Sequence, residues 1–279
     1  MKHVLALLLL VAVLVSATFT RAMPRAGAPP PVTRFDVVVS MEWEPGKQAA
    51  KGATLPEILA AAGCPAEAKG SYLDDLEAGF TEASNYIYAY SQGRFALGTV
   101  TIDTGGDLWQ KADVRILADS SYRPTATVGG VVASTMRYTA TPTGLEVIFD
   151  PGAVTLGRNW NGLGARCGAW SQPEGWRTIG HEWAHYALFL WDEYYEQFTL
   201  NKQYCTTTGF PFVNLDRGER APAAVDGRTN SVMAYQYSAD RLWTSGMPAN
   251  CSQTPQMRIN GASDWDTIKR FYPSIGSPA

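Results

Sequence analysis

The chain is short of the residues that most often carry chemistry. Its 279 residues hold three histidines, His3, His181 and His185, and four cysteines, Cys64, Cys167, Cys205 and Cys251, none in a C-x-x-C pair. That spacing argues against a zinc site built from thiolates. No run of five or six basic residues occurs, and 23 Lys plus Arg against 26 Asp plus Glu leave a net charge of −3. A nucleic-acid partner is not expected. There is no internal repeat or low-complexity tract, which excludes solenoids and arrays. Beyond the N-terminus no apolar stretch reaches the roughly 18 residues of a membrane span. With 46% apolar residues, 26 Gly and 17 Pro, the remainder describes an ordinary globular protein and excludes disorder or fibre.

Residues 1–22 read as a secretory signal peptide: Lys2 and His3, an apolar stretch from Val4 to Val15, then small and polar residues around Ser16 and Ala17, with Val15-Ser16-Ala17 or Thr20-Arg21-Ala22 preceding the cut. The expected mature protein is secreted, without a stable membrane span. Its even cysteine count then suggests two disulfides, read as Cys64–Cys167 and Cys205–Cys251.

Residues 23–34 are rich in Pro and Ala and read as a linker. Phe35–Trp43, Phe95–Asp103, Val114–Ala118 and Leu145–Asp150 have strand patterning. Ser71–Gln92 carries Leu73, Leu76, Phe80, Ala83, Ile87 and Tyr90 at three- and four-residue steps, the stripe of an amphipathic helix. Ser171-Gln172-Pro173-Glu174 reads as a capping box opening a second helix, and Ser263 or Asp264 as the cap of a last one ending near Tyr272. From Gln197 to Asn230 the pattern fades into an irregular segment.

The second helix runs into His181-Glu182-Trp183-Ala184-His185, an H-E-x-x-H sequence. Residues four apart share a helix face, so both imidazoles can grip one cation. Glu182 falls on the adjoining flank, as a general base rather than a ligand. With no histidine left, the third ligand must be a carboxylate or a thiolate. Asp192 and Glu193 follow closest, but on an unbroken helix Asp192 would stand about 10.5 Å past His185 along the axis. The chain must therefore turn back between Leu188 and Trp191 if Asp192 is to coordinate. Glu196 and Glu219 are rival ligands of a different zinc-peptidase class.

Together with Asn230-Ser231-Val232-Met233-Ala234-Tyr235, the motif resembles the zinc site and Met-turn of metzincin peptidases. In those families the tyrosine two places after the methionine can approach the reacting oxyanion, a role that would fall on Tyr235. The longer HEWAHYALFLWDEYYE string is most similar to the metallopeptidase domain of calcium-activated chloride channel regulators. That resemblance places the third zinc ligand on Asp192. Phe80–Phe95, Arg166-Cys167-Gly168 and Ser263–Ile268 resemble the same domain. Phe189 departs from it, standing where the family has glycine. The expectation is a peptidase domain standing alone, with channel regulation not carried over.

The expected fold is therefore α+β and metzincin-like. It has a mixed twisted sheet and two long helices in an N-terminal lobe (about 35–190) and a smaller irregular C-terminal lobe (about 191–279), the domain as a whole covering 35–279. The expected function is a secreted Zn2+ endopeptidase acting on peptide or protein substrates, with His181, His185 and Asp192 as ligands and Glu182 and Tyr235 as catalytic groups. Substrate is expected along an edge strand, placed at Leu145–Asp150. The rival is a non-catalytic or self-processing metal-binding adhesion module. Oligomeric state is not legible.

Overall fold

The computed structural model describes residues 31–46, 64, 69–119, 122–142, 144–162, 165, 167–196, 202–204, 231–244 and 249–275. The expected signal peptide, most of the linker, Cys205 and Glu219 lie outside the described residues. β1 (Thr33–Met41) begins two residues before the expected strand and buries Val37, Val39 and Met41 at the two-residue period of a strand. α1 (Lys69–Tyr90) follows, and its Leu76, Phe80, Ala83, Ile87 and Tyr90 are buried as the stripe requires. The chain then returns through β2 (Phe95–Thr104), which pairs with β1 in parallel.

β3 (Val114–Ile116) and β7 (Val154–Leu156) extend the sheet in parallel, and β4 (Thr125–Ala126) closes it antiparallel to β7, giving the order β2-β1-β3-β7-β4. The expected strand at Leu145–Asp150 exists, but not in this sheet. It belongs to β6 (Gly144–Pro151), which among the described residues pairs only with β5 (Ser134–Thr141), in a separate hairpin. The sheet edge beside the second helix is instead β4, two residues long and without a strand pattern of its own.

α2 (Pro173–Leu188) starts on Pro173 with Gln172 as N-cap. The expected capping box does not form, because Ser171 donates its hydroxyl to Asp75 of α1. That carboxylate also accepts the amides of Trp170 and Ser171, at 2.9 and 3.1 Å. Phe35 of β1 meets Trp183 of α2 edge to face, 5.8 Å between ring centres.

Beyond α2, β8 (Tyr194–Glu196) and β9 (Lys202–Tyr204) form a short antiparallel pair that the sequence did not announce. α3 (Val232–Tyr235), a π-helical turn (Gln256–Asn260) and α4 (Asp264–Phe271) complete the described chain. Ser263 caps α4, its Oγ accepting from the Asp266 amide. Cys64 and Cys167 form a disulfide, as expected. Cys251 is also disulfide-bonded, while its expected partner Cys205 is outside the described residues. The protein is thus α+β with a mixed sheet, and no described helix is long and apolar enough to cross a membrane.

Candidate metal centre

His181 and His185 are both buried on one face of α2, at 3% and 6% exposure. Nδ1 of His181 lies 2.9 Å from the Val232 carbonyl, and Nδ1 of His185 lies 2.7 Å from that of Leu190. A carbonyl can only accept, so each ring donates from Nδ1. In the neutral tautomer this leaves the Nε2 lone pair free, the arrangement metal-bound imidazoles adopt. The two Nε2 atoms are 3.2 Å apart. Asp192 Oδ1 lies 3.4 Å from one and 3.3 Å from the other.

These three atoms form a nearly equilateral triangle. A tetrahedral ion with ligand bonds of 2.0–2.1 Å separates its ligand atoms by about 3.3 Å, so the donor set fits zinc in number, type and spacing. Among the described residues this is the one cluster of three or more His, Cys, Asp or Glu side chains arranged to hold a cation. In the metal-free protein the same proximity moves the titrations. Burial opposes charge on His185, but Asp192, assisted by Glu182 and the Leu190 carbonyl, outweighs it and raises the imidazole to about 9. Burial likewise opposes ionisation of Asp192, and the two imidazoles overcome it, holding the carboxyl well below the usual range.

Asp192 reaches the triangle because α2 stops at Leu188. Phe189 adopts the left-handed conformation, φ 62° and ψ 23°, in the turn between Leu188 and Trp191 that the spacing demanded. The Phe189 and Leu190 amides both bond back to the Ala184 carbonyl, the second at 3.3 Å, which closes the turn. This presents the Leu190 carbonyl to His185, so one reversal both recovers the carboxylate and orients a ring. Phe189 carries a β-carbon where glycine would be free of strain, and its ring lies flat on Phe271, 3.8 Å between centres.

Glu193, the neighbouring alternative, is not in the triangle. It is fully buried near Asp264 and Ser231, where burial first and the Asp264 charge second raise its carboxyl. Glu182 is 7% exposed and outside the triangle, close enough for its charge to act on His185 and Tyr237. The Ser231–Tyr235 segment lies against the site. Ser231 Oγ caps α3 by accepting the Met233 amide at 3.1 Å, the Val232 carbonyl takes His181, and the Met233 carbonyl accepts the Glu193 amide at 3.0 Å. Tyr235 is buried, its ring edge-on to Tyr237 at 5.4 Å. Tyr237, which the sequence reading did not single out, is the tyrosine that feels Glu182.

Fold and site together define an α+β protein with a buried His-His-Asp group able to hold a metal ion. Comparison of the chain with protein families, curated proteins and solved structures returned no match.

Proposed function

We propose that the protein is a secreted, zinc-dependent endopeptidase of metzincin type. The observation that carries this reading is the triangle of His181, His185 and Asp192 with Glu182 on the same helix and a Met-containing turn beneath. Three protein ligands leave one coordination position for chemistry, whereas a structural zinc takes four. A zinc ion bound there supplies Lewis acidity, lowering the pKa of water in the site and polarising a scissile carbonyl.

The chain's own groups do the rest. Glu182 takes the proton of the attacking water and returns it to the leaving amine, as a carboxylate beside the ligands can do. Tyr235 is assigned as a donor to the developing oxyanion. The segment after β4 is joined to α2 through the Gly129 amide on the His185 carbonyl, 2.9 Å. The β4 edge therefore replaces Leu145–Asp150 as the strand along which an extended peptide would pair. The Cys64–Cys167 disulfide supports an oxidising, secretory location.

Elemental analysis of the mature protein should find one zinc, and a peptide library should be cleaved without chelator and left intact with it. Glu182→Gln should keep the metal and lose at least about 100-fold in kcat. Cleavage unchanged by either treatment would reject the mechanism, and a fully loaded, inert wild type would favour the binding-module reading.

A further inference from the structure

The backbone of the turn that carries Asp192 is held from outside by two residues of one later segment, Gln256 and Asn260. Gln256, in the π-helical turn, is fully buried. Its Oε1 accepts the Trp191 amide at 2.8 Å and its backbone amide donates to the Asp192 carbonyl at 3.1 Å. It thereby holds the chain one residue before the ligand and at the ligand's own carbonyl. Oε1 also accepts Asn260 Nδ2 at 3.0 Å, and that same nitrogen donates to the Phe189 carbonyl at 3.2 Å. Nε2 is spent on the Ala262 carbonyl and Thr267 Oγ1, at 3.0 and 2.9 Å. Side-chain oxygen and nitrogen are both fully used, which only an amide of this length can satisfy: a carboxylate has no hydrogen for Ala262, and a thioether none of the required donors.

We infer that Gln256, seconded by Asn260, is the positioning residue for the third ligand, holding Asp192 Oδ1 3.4 and 3.3 Å from the two imidazole Nε2 atoms, the spacing of ligands around one ion. Nothing in the immediate sequence does this work. A glycine at the turn would relax freely into the required φ, whereas Phe189 is strained there and its peptide groups need partners that hold them in place. The Phe189 amide bonds locally to the Ala184 carbonyl, but the Phe189 carbonyl and the Trp191 amide are met by Asn260 and Gln256, from a segment more than sixty residues downstream. Gln256 touches neither substrate nor metal, so its effect is read through Asp192.

The inference rests on the metal-site reading, and its test separates the two. The full mature chain is titrated with Zn2+ against a chromogenic chelator, and with Co2+ to follow the d–d spectrum, while melting of the metal-free protein is recorded in parallel. Gln256→Met should weaken zinc by about 10- to 100-fold, the usual effect of removing a partner behind a ligand, and alter the cobalt spectrum. Asn260→Ala, a milder change suited to the case in which the first variant fails to fold, should weaken zinc by several fold. Thr267→Val breaks a Gln256 bond away from the ligand turn and serves as the control: it should lower the melting temperature yet leave zinc affinity within twofold. Equal losses of affinity at Thr267→Val and at the other two, scaling only with stability, would overturn the inference. So would wild-type affinity in both Gln256→Met and Asn260→Ala. A wild type that binds no zinc would overturn the metal site itself.

Discussion

Phe189 concentrates the residue-scale argument. Its left-handed backbone costs a β-carbon-bearing residue about 1–2 kcal/mol, and the ring's stacking on Phe271 and contact with Gly129 offset the cost. Removing the ring while keeping the strain is therefore worse than removing both. Phe189→Ala should be less stable than wild type, and Phe189→Gly should recover about 1 kcal/mol of that loss. Urea unfolding of the three proteins tests the order, and an alanine variant at least as stable as glycine would contradict the strain. At this scale much was legible. Two histidines four apart, and a carboxylate too distant on a straight helix, demanded a reversal near Leu188. What spacing alone could not give was the choice between Asp192 and Glu193, which rested on the resemblance, because adjacent residues point apart only once the turn's geometry is fixed. Gln256 was invisible for the same reason, since nothing local distinguishes a clamp from a surface amide.

At the scale of elements, the site depends on how closely α1 approaches α2. A β-carbon on Gly180, the residue before His181, would fall 2.6 Å from the Tyr86 ring. That ring cannot retreat, because its hydroxyl lies against the Gln236 and Ala239 carbonyls at 3.1 and 2.8 Å. Tyr90 donates to the Gly180 carbonyl itself at 3.0 Å. Alanine gains about 1 kcal/mol in helix propensity, but overpacking costs about 1–3 kcal/mol. Gly180→Ala should therefore be net destabilising, read as a lower urea midpoint with unchanged slope, and a raised midpoint would show that the helices can separate. α1 was legible from its three- and four-residue stripe, and α2 from Pro173 in its first turn although the capping box expected there does not form. The sheet was less so: Leu145–Asp150 has strand patterning whether it joins the main sheet or a free hairpin, and two-residue β4 is too short to carry any pattern.

For the whole molecule, burial of tyrosine governs the response to alkali. Burial raises the hydroxyl of Tyr272 to about 12, and it raises those of Tyr86, Tyr90, Tyr186 and Tyr235 further, with Asp113 adding to the effect at Tyr186. Below pH 10 folded and unfolded chains both keep these protons, so stability is unaffected. Above it the unfolded chain releases them while the folded one does not, and each retained proton costs about 1.4 kcal/mol per pH unit. The fold should hold to about pH 10 and unfold cooperatively over the next one to two units, followed by circular dichroism. A signal flat to pH 12 would contradict this. The Cys64–Cys167 pairing belongs to the same scale and was legible only as a choice among three pairings, since a separation of 103 residues leaves no local trace.

The long reach of the clamp also has a temporal side. During synthesis at about 5–20 residues per second, both imidazoles leave the ribosome several seconds before Gln256 is even made. In that interval the imidazoles exist without the segment that holds Asp192 in place, so the His-His-Asp group is completed as one of the last events of folding.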